Sequence, residues 1–346
     1  ITMFLSDNTA PASPEILDYL QRELQSKTDT PYGDAQQTGQ LNALVGELFE
    51  TEVWVFPVLS GTAANCLALS ALCPSVGAII THRDSHLCIS ENTAPHFFTG
   101  GAAVHRIGEG PDLISPEELT QYCEATPWGD VHSAMPRVLS LAQASELGRV
   151  YSAEHLQELN GICQHYGLTI YVDGARFANA QQSLSCSLAD ISWKAGVSAV
   201  TFGAIKNGTF GAEALVLFKP ELFSAVRQKA KQAGHLASKM RYLSAQLIAY
   251  FSDELWQRNA SAANDATQLL VDAIEQNQHC SLALDAQTNQ IFVAMPAELN
   301  QHLLQNGFEL YPWKVNNTDA YRLVTNWATT QKDIDGFKLA LADYSE

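Results

Sequence analysis

Short apolar runs alternate with segments of helical periodicity along the first two thirds of the chain. Turn-forming residues bound each run, which is the pattern of strands buried on both faces of a sheet. The predicted strands cover residues 53–58, 78–81, 104–107, 137–141, 168–172, 199–202 and 214–218. Because helical segments separate most of these strands, the pattern predicts an α/β fold with a mostly parallel, seven-stranded sheet covered by helices.

The pattern changes after residue 219, where longer helical segments follow. Helices are predicted over residues 14–25, 40–50, 62–72 and 153–166, and two long ones over 222–256 and 260–276. A small α+β unit then closes the chain, with strands 290–294 and 321–325 and helices 299–306 and 331–344. We therefore predict an N-terminal segment, 1–45, packing near a small C-terminal domain, 256–346, and a large domain, 46–255, between them.

Composition and charge exclude several classes of protein. Of the 346 residues, 46% are hydrophobic, which is enough for a sizeable core and too much for a disordered chain. The chain has 20 Lys and Arg against 37 Asp and Glu, a net charge of −17, so it lacks the basic surface of a nucleic-acid-binding protein. The same charge disfavours binding to an anionic membrane surface, and no apolar run is long enough to span a bilayer.

The cysteines and the first residues bear on the cellular compartment. The seven cysteines are odd in number, scattered and without a CxxC pair. We therefore expect reduced core thiols, with neither a disulfide framework nor a metal site. No charged segment precedes Ser6 and Asp7, so we expect no signal peptide and a cytoplasmic location.

Polar residues follow two of the predicted strands at the sheet edge where ligands of α/β proteins bind. Ser60, Gly61 and Thr62 open the helix after strand 53–58, and the free N–H groups of a helix start attract phosphate. His86 follows the next strand, and position alone distinguishes it from the other histidines. The alternatives are a plain capped helix for the first motif and a structural histidine for the second.

Charged residues also lie where burial makes them costly. Asp173 ends strand 168–172, where it either meets a cation or caps the next helix, and Arg176 either holds a carboxylate or pairs with Asp173. Lys206, between two apolar strands, is either a turn residue or a desolvated, nucleophilic amine. A phosphate site, a strand-end acid and such a lysine are what pyridoxal phosphate (PLP) requires, because they anchor its phosphate, keep its pyridine nitrogen protonated and bind its aldehyde. Such anionic ligands call for a locally basic site.

Further motifs have the order and spacing of a known family. The matching segments are 4–8 (FLSDN), 32–34 (YGD), 60–65 (SGTAAN), 97–101 (FFTGG), 172–176 (VDGAR), 202–211 (FGAIKNGTFG) and 321–325 (YRLVT), together with His86. With them the sequence resembles the threonine aldolase/β-eliminating lyase family of PLP-dependent enzymes over nearly its whole length. The resemblance implies the fold type I, aspartate-aminotransferase-like architecture, with a large PLP-binding domain and a small α+β C-terminal domain.

The resemblance also implies cofactor-binding roles for the matching residues. Lys206 would hold the PLP aldehyde as an imine, and Asp173 would pair with the pyridine nitrogen. His86 would stack on the cofactor ring and act on the substrate hydroxyl. The phosphate would be bound by Ser60, Gly61 and Thr62.

Substrate binding and assembly are implied in the same way. Ser6, Arg176 and Arg322 would hold the substrate carboxylate, with Arg176 also beside the cofactor. Tyr32 and Lys231 would reach the cofactor of a neighbouring subunit, so the resemblance implies a homodimer or homotetramer with shared active sites.

The activity implied is retro-aldol cleavage of an L-β-hydroxy-α-amino acid, such as threonine, allo-threonine or phenylserine, to glycine and an aldehyde. Two departures from the family pattern point to a divergent branch that favours bulkier substrates. Ile205 replaces the usual threonine before the lysine, and residues 142–146 (AQASE) lack the second histidine of the better-known threonine aldolases. The alternatives are β-elimination, transamination or racemisation on the same scaffold, or a PLP-binding protein with little lyase activity.

Overall fold

A seven-stranded sheet is the centre of the computed structural model, which describes residues 2–23, 28–110 and 113–344. The strands are β1 (Thr2–Met3), β2 (Trp54–Val58), β3 (Gly77–His82), β4 (Ala103–Ile107), β5 (Met135–Ala142), β6 (Thr169–Gly174), β7 (Val197–Phe202), β8 (Glu213–Leu217), β9 (Ser281–Leu284), β10 (Gln290–Ala294), β11 (Phe308–Glu309), β12 (Tyr311–Val315) and β13 (Thr318–Val324). The large sheet has the order β2-β8-β7-β6-β5-β3-β4. Only β8 runs against its neighbours in that sheet, so the prediction of a mostly parallel, seven-stranded sheet is confirmed.

Helices cover both faces of this sheet. They are α1 (Pro14–Glu23), α2 (Gln36–Phe49), α3 (Gly61–Leu72), α4 (His86–Ile89), α5 (Ala94–Thr99), α6 (Pro116–Ala125), α7 (Ala153–Tyr166), α8 (Phe177–Leu184), α9 (Pro220–Gln232), α10 (Arg241–Phe251), α11 (Leu255–Glu275), α12 (Ala297–Gln305) and α13 (Gln331–Ala342). Alternate residues of β6 belong to different cores, Val172 to the one that includes α2, α7 and α10, and Tyr171 to the one that includes α3 and α9. This alternation explains why the central strands are apolar throughout.

A smaller unit is built on the four-stranded antiparallel sheet β12-β13-β10-β9. Its core joins Ile291 and Leu323 of the sheet to Leu270 of α11 and Phe337 of α13. Helix α11 enters both cores, because Trp256 near its start packs in the core of the large sheet. The small α+β unit expected at the C-terminal end is therefore present.

The N-terminal segment divides between the two units. Phe4 lies in the core of the C-terminal unit, whereas Ile16 of α1 and Leu41 of α2 lie in a core of the large sheet. Helices α1 and α2 both pack against α10. The segment thus packs with both units, and the domain boundaries at 45/46 and 255/256 stay a prediction.

The helical region after residue 219 differs from its prediction. The single helix predicted over residues 222–256 is three helices, α9, α10 and the start of α11, and α11 runs on through the second predicted helix. Gly234, with φ of +76°, follows the end of α9, and Asp253 and Glu254 take left-handed backbone angles between α10 and α11. The hydrophobic periodicity of the sequence does not reveal these breaks, because apolar residues recur at helical spacing on both sides of them. Among the helices of the described ranges, none is long and apolar enough to cross a membrane.

The parallel strands place their following loops along one edge of the large sheet. β3 is followed by His86, β6 ends in Asp173 and Gly174, and β7 leads to Lys206. The backbones after β6 and β7 come very close, since Gly203 N–H donates to Gly174 O at 2.8 Å. A Cβ atom at Gly203 would lie 2.2 Å from the Ala175 carbonyl oxygen. Glycine at 203 is therefore needed to bring Asp173 and Lys206 together.

We expect Gly203→Ala to destabilise the protein by about 3 kcal/mol, because a backbone carbonyl cannot swing aside as a side chain can. The measurement is urea unfolding of the protein without added cofactor. Gly39→Ala is the matched control, since a Cβ at Gly39 in α2 meets no atom within 4 Å. The control should gain about 0.5 to 1 kcal/mol from helix propensity. Equal unfolding midpoints for the two variants would contradict the packing described for Gly203.

Candidate active site

A cavity of about 240 Å³ lies at this edge of the sheet. Six of the predicted site residues line it: Ser60, Gly61, Thr62, His86, Asp173 and Lys206. Ile205, at the position where the family usually has threonine, lines it as well. Ser60 and Lys206 are 146 positions apart in the sequence, yet both line this pocket at the carboxyl ends of the parallel strands.

The start of α3 forms one wall of the cavity. Ser60 is the N-cap, and its Oγ accepts a hydrogen bond from Ala63 N–H at 3.2 Å. The N–H groups of Gly61 and Thr62 lie in the first helical turn, which leaves them without carbonyl partners in their own helix. A Cβ at Gly61 would meet no protein atom within 4 Å. The helix start therefore presents donors and a positive dipole to open space, which suits an anion.

Asp173 also lines the cavity and is held by two donors. Its Oδ2 accepts from Asn65 Nδ2 at 2.8 Å, and its Oδ1 accepts from Ala175 N–H at 3.1 Å. Asn65 in turn accepts a hydrogen bond from the buried Tyr171 hydroxyl at 2.6 Å. Burial raises the pKa of Asp173, against the opposing effects of His86 and Asn65. A cation that met this carboxylate would therefore be strongly attracted to it.

His86 is fixed by a buried carboxylate. Its Nδ1 lies 2.8 Å from Glu91 Oε1, and the Glu91 side chain has no exposed surface. That hydrogen bond raises the pKa of His86, and burial opposes the rise. Since a carboxylate only accepts, Nδ1 carries the proton and Nε2 is the atom free to exchange one.

His86, Glu91 and Asp173 have potential metal-ligating atoms within 4.8 Å of one another. Asn65 Nδ2 lies between the two acids, because it donates to Glu91 Oε1 at 3.1 Å as well as to Asp173. His86 Nδ1 is also committed to Glu91. The Asn65 amide and the His86 imidazole therefore supply hydrogen-bond donors to these two carboxyl groups in place of a metal ion.

Lys206 occupies a tight turn between β7 and β8. The turn is anchored by Asn207, whose Nδ2 donates to Tyr250 Oη at 2.7 Å and to Trp256 O at 2.8 Å. Across the described ranges, Lys206 Nζ itself has no ion pair within 4 Å. It is near enough to Asp7, Asp173 and Glu213 to act on all three carboxyls electrostatically. The turn is thus held in place, and the partly buried lysine lines the cavity.

Arg176 is buried in a bidentate ion pair. Its Nε and Nη2 donate to Asp7 at 2.8 and 3.0 Å, and Asn289 Nδ2 adds a third hydrogen bond to the same carboxylate at 3.0 Å. Burial acts to raise the pKa of Asp7, but Arg176 holds it below its ordinary value. The sequence-based alternative in which Arg176 pairs with Asp173 is therefore wrong, since the partner is Asp7.

Arg322 on β13 lies beside this pair. Its Nη2 donates to Leu5 O at 3.2 Å, and its guanidinium lies 5.2 Å from the Tyr311 ring and 4.9 Å from the Trp313 ring. Burial, with Arg176 nearby, lowers the pKa of Arg322. Its Nε is buried and has no hydrogen-bond partner in the part of the chain that the structure describes. An orphaned cationic donor of this kind calls for an anionic ligand.

Ser6 lies between the residues that hold the two arginines. It caps the short turn Asp7–Thr9, and its Oγ accepts from Asn8 N–H at 3.2 Å. Leu5 contacts Arg322 and Asp7 contacts Arg176, so Ser6, Arg176 and Arg322 form one cluster beside the cavity. The three residues that the resemblance assigned to the substrate carboxylate are brought together.

Carboxyl groups surround the cations of the site. Asp7, Glu91, Asp173 and Glu213 are all buried or line the cavity, and only Asp7 is paired with an arginine. The cations of the site are therefore interspersed with carboxyls, and the expectation of a locally basic site stays a prediction. A second cavity of about 580 Å³, lined in part by Glu146 and Trp313, adds another acid. Glu146 is close enough to His86, Arg176 and Arg322 to act on each electrostatically.

Tyr32 and Lys231 are not among the residues that line the cavity. Both are exposed, and the Lys231 ammonium lies 5.2 Å from the Tyr32 ring. Arg227 Nη2 donates to Tyr32 O at 3.1 Å. Within one chain these two residues form a surface pair, so their part in a cofactor site stays a prediction about the neighbouring subunit.

Asn65, Glu91 and Glu213 belong to the site although the sequence did not predict them there. Asn65 and Glu213 carried a signal, because each is a polar residue inside an otherwise apolar helix or strand whose neighbours are buried. Glu91 follows the end of α4 among small polar residues, and nothing in its sequence context marks it as buried. Only the fold shows that it lies against His86.

Comparisons with known proteins agree over most of the chain. A family model described as beta-eliminating lyase matches residues 3–298. The low specificity L-threonine aldolase of Pseudomonas aeruginosa is 35% identical over 308 residues, covering 89% of this chain and 88% of that protein. The enzyme of the same name from Pseudomonas sp. (strain NCIMB 10558) is 33% identical over 328 residues, covering 95% and 93%. The Leishmania major threonine aldolase structure matches with a TM-score of 0.91 at 26% identity, covering 99% of both chains, which confirms the expected fold type I architecture.

We expect Glu91→Gln to lower the pKa of His86, because the amide removes the hydrogen-bonded charge that raises it. The measurement is an NMR titration of the histidine ring protons, with the His86 signal assigned from its absence in His86→Asn. Because the folded pKa is raised, the His86–Glu91 contact stabilises the fold fully below pH 6.5 and loses this effect as pH rises through the folded pKa. The stability difference between wild type and Glu91→Gln should shrink over the same range.

The control for this titration is Glu117→Gln, an exposed carboxyl in α6. Its His86 signal should titrate as in the wild type. An unshifted His86 titration in Glu91→Gln would show that the contact does not govern His86 protonation.

Proposed function

The chain belongs to the β-eliminating lyase family, and from this we propose that it is a carbon–carbon lyase of the threonine aldolase type. It cleaves L-β-hydroxy-α-amino acids, such as L-threonine, L-allo-threonine or phenylserine, to glycine and an aldehyde. The observation that carries this assignment is the cavity that holds Lys206 and Asp173 beside the Arg176 and Arg322 cluster. The two Pseudomonas relatives, which match most of the chain at 33% and 35% identity, bear the aldolase name, and this favours the reaction over β-elimination, transamination or a bare binding function.

The residues of the cavity fit pyridoxal phosphate, which we propose as the cofactor. The open start of α3, where a Cβ at Gly61 would meet nothing, suits the phosphate, with Ser60 and Thr62 beside it. Lys206 Nζ would bind the aldehyde, and Asp173 would keep the pyridine nitrogen protonated. When bound, the cofactor accepts the electron pair left on the substrate Cα as the Cα–Cβ bond breaks.

The chain's own residues orient the substrate and move one proton. Arg176 and Arg322, with Ser6, hold the substrate carboxylate, and the unpaired Arg322 Nε supplies a donor for it. Asp7 keeps Arg176 charged and fixed, so binding costs little reorganisation. His86 Nε2 takes the proton of the β-hydroxyl, because Glu91 holds the proton of Nδ1 in place. After the aldehyde has formed, a proton is returned to Cα, which completes glycine and balances the proton taken from the hydroxyl. His86 must be neutral to take the hydroxyl proton, so cleavage should increase as pH rises through its raised pKa.

We expect the wild type with added PLP to convert threonine, allo-threonine and phenylserine to glycine and the matching aldehyde, measured by chromatography of both products. Lys206→Ala should lose turnover by about 10³-fold or more and should not be labelled by PLP and borohydride, seen by mass spectrometry. Pyruvate and ammonia in place of glycine would show β-elimination, and covalent labelling with no product would show a binding protein.

Arg322→Gln separates substrate binding from chemistry in the same assay. Its KM should rise about 10- to 100-fold, because a charged hydrogen bond to the carboxylate is lost, while PLP labelling of Lys206 stays intact. A wild-type KM would remove Arg322 from the substrate site.

We further propose that the active enzyme is a homodimer or homotetramer in which Tyr32 and Lys231 complete the site of a neighbouring subunit. Two large apolar side chains adjacent to site residues support this. Leu59, before Ser60, is 56% exposed, and Phe210, near Lys206, is 58% exposed. Exposed apolar groups beside a site are typical of a surface that a partner covers.

Mixing two inactive variants tests the shared site. Lys206→Ala and Tyr32→Ala should each be inactive, and their hybrids, formed by refolding together, should recover about a quarter of wild-type activity, since half of the dimers carry one intact site. A mixture as inactive as its components would show that Tyr32 does not act across subunits. Native mass spectrometry of the refolded mixture is the control for subunit exchange, since hybrid dimers have a mass between those of the two parent dimers.

A further inference from the structure

Glu213 is a buried acid at the start of β8, beside the lysine of the proposed reaction. Its residue is only 6% exposed, and its side chain lines the same cavity as Lys206. The four residues that follow it in the strand are apolar and buried. No role in the mechanism above uses it. A carboxyl in such surroundings is costly unless specific partners compensate for its lost hydration.

Two of those partners are backbone groups directly before Lys206. Glu213 Oε2 accepts hydrogen bonds from the Ala204 N–H and from the Ile205 N–H, the latter at 3.3 Å. Strand β7 pairs with β8 up to Phe202, so these contacts continue the junction of the two strands into the turn. The carboxylate therefore fixes the backbone that presents the lysine.

Backbone contacts alone do not explain an acid at this position. The amide oxygen of a glutamine accepts the same two hydrogen bonds, and burying it costs less than burying a carboxylate. A nearby cation offsets the desolvation cost of a buried carboxylate, and Lys206 is close enough to act on Glu213 electrostatically. The two carboxylate oxygens of Asp173 already accept hydrogen bonds from Asn65 Nδ2 and from Ala175 N–H.

The surroundings place Glu213 in the neutral titration range. Burial raises the pKa of Glu213 to about 7, while the Ala204 N–H and Lys206 oppose the rise. The other titratable groups that face it are Asp173, which adds to the rise, and Tyr250, whose own pKa burial raises further. Around and above pH 7 the ionised form of Glu213 is thus available beside Lys206.

We propose that Glu213 is a positioning residue for Lys206, whose carboxylate both anchors the turn and stabilises positive charge at Lys206 Nζ. It is a polar support for the lysine turn from the adjacent strand, where the side chain of Ile205 offers no hydrogen-bonding group. The inference rests on the proposed function only in that Lys206 binds PLP. It does not depend on which substrate is cleaved.

The test is a pH titration of the visible absorbance of the PLP-loaded protein, which reports the protonation of the nitrogen that Lys206 contributes. In Glu213→Gln the midpoint should move to lower pH by about one unit, because a stabilising negative charge is lost while the hydrogen-bond acceptor remains. Glu213→Ala is a second neutral variant and should shift the midpoint in the same direction. Glu213→Asp keeps the charge and should stay closer to the wild type than either.

Glu118→Gln is the matched control, since the Glu118 carboxylate also accepts from two backbone N–H groups, at 3.1 and 2.9 Å, but in α6 and outside the cavity. Its midpoint should equal that of the wild type. A wild-type midpoint in whichever neutral variant of Glu213 folds would overturn the proposal. If PLP does not bind Lys206 in the wild type, both this proposal and the proposed function are overturned. If the absorbance midpoints shift as expected but no aldolase products form, only the proposed function is overturned.

Discussion

The hydrogen bond from Asn65 Nδ2 to Asp173 Oδ2 is the contact on which the arrangement of the site depends. The same nitrogen donates to Glu91, so one amide lies between the buried Glu91 and the partly buried Asp173, which would otherwise repel each other. Its oxygen accepts from Tyr171, which ties the helix above the sheet to the strand below. Replacing Asn65 would leave several buried groups unsatisfied at once, and this costs more than the single bond.

The positions of the reactive residues follow from the sequence because they depend on local pattern. Apolar runs locate the strands, the carboxyl ends of parallel strands share one edge, and the motifs at 60–62, 173–176 and 206 come directly after strands. Asp7 was visible within the FLSDN motif, yet its pairing with Arg176 was not, since 169 positions separate them. Contacts of this range depend on how the two units meet, and periodicity carries no information about that.

The charges illustrate the same difference between composition and geometry. The net charge of −17 says nothing about where the acids lie, and several of them lie at the site. Exposed pairs such as Arg227 with Asp34 contribute little to stability. The buried acids matter more because each one sets the position or protonation of a cation, Asp7 for Arg176 and Glu91 for His86. In this acidic chain, buried carboxylates therefore position the few cations that form the site for anionic ligands.

Helix α11 links the two parts of this site mechanically. Its first turns contact the lysine turn, through Trp256 O and through Asn259 Nδ2, which donates to Asn207 O at 2.7 Å. Its last turns carry Leu270 and Ile274 into the core of the unit that bears Arg322. One residue inserted between these ends would rotate that unit by about 100° around the helix axis and displace it by about 1.5 Å. The length of α11 thus sets the distance and the rotation between the lysine turn and the unit that bears Arg322, so an insertion within it would separate the two parts of the site.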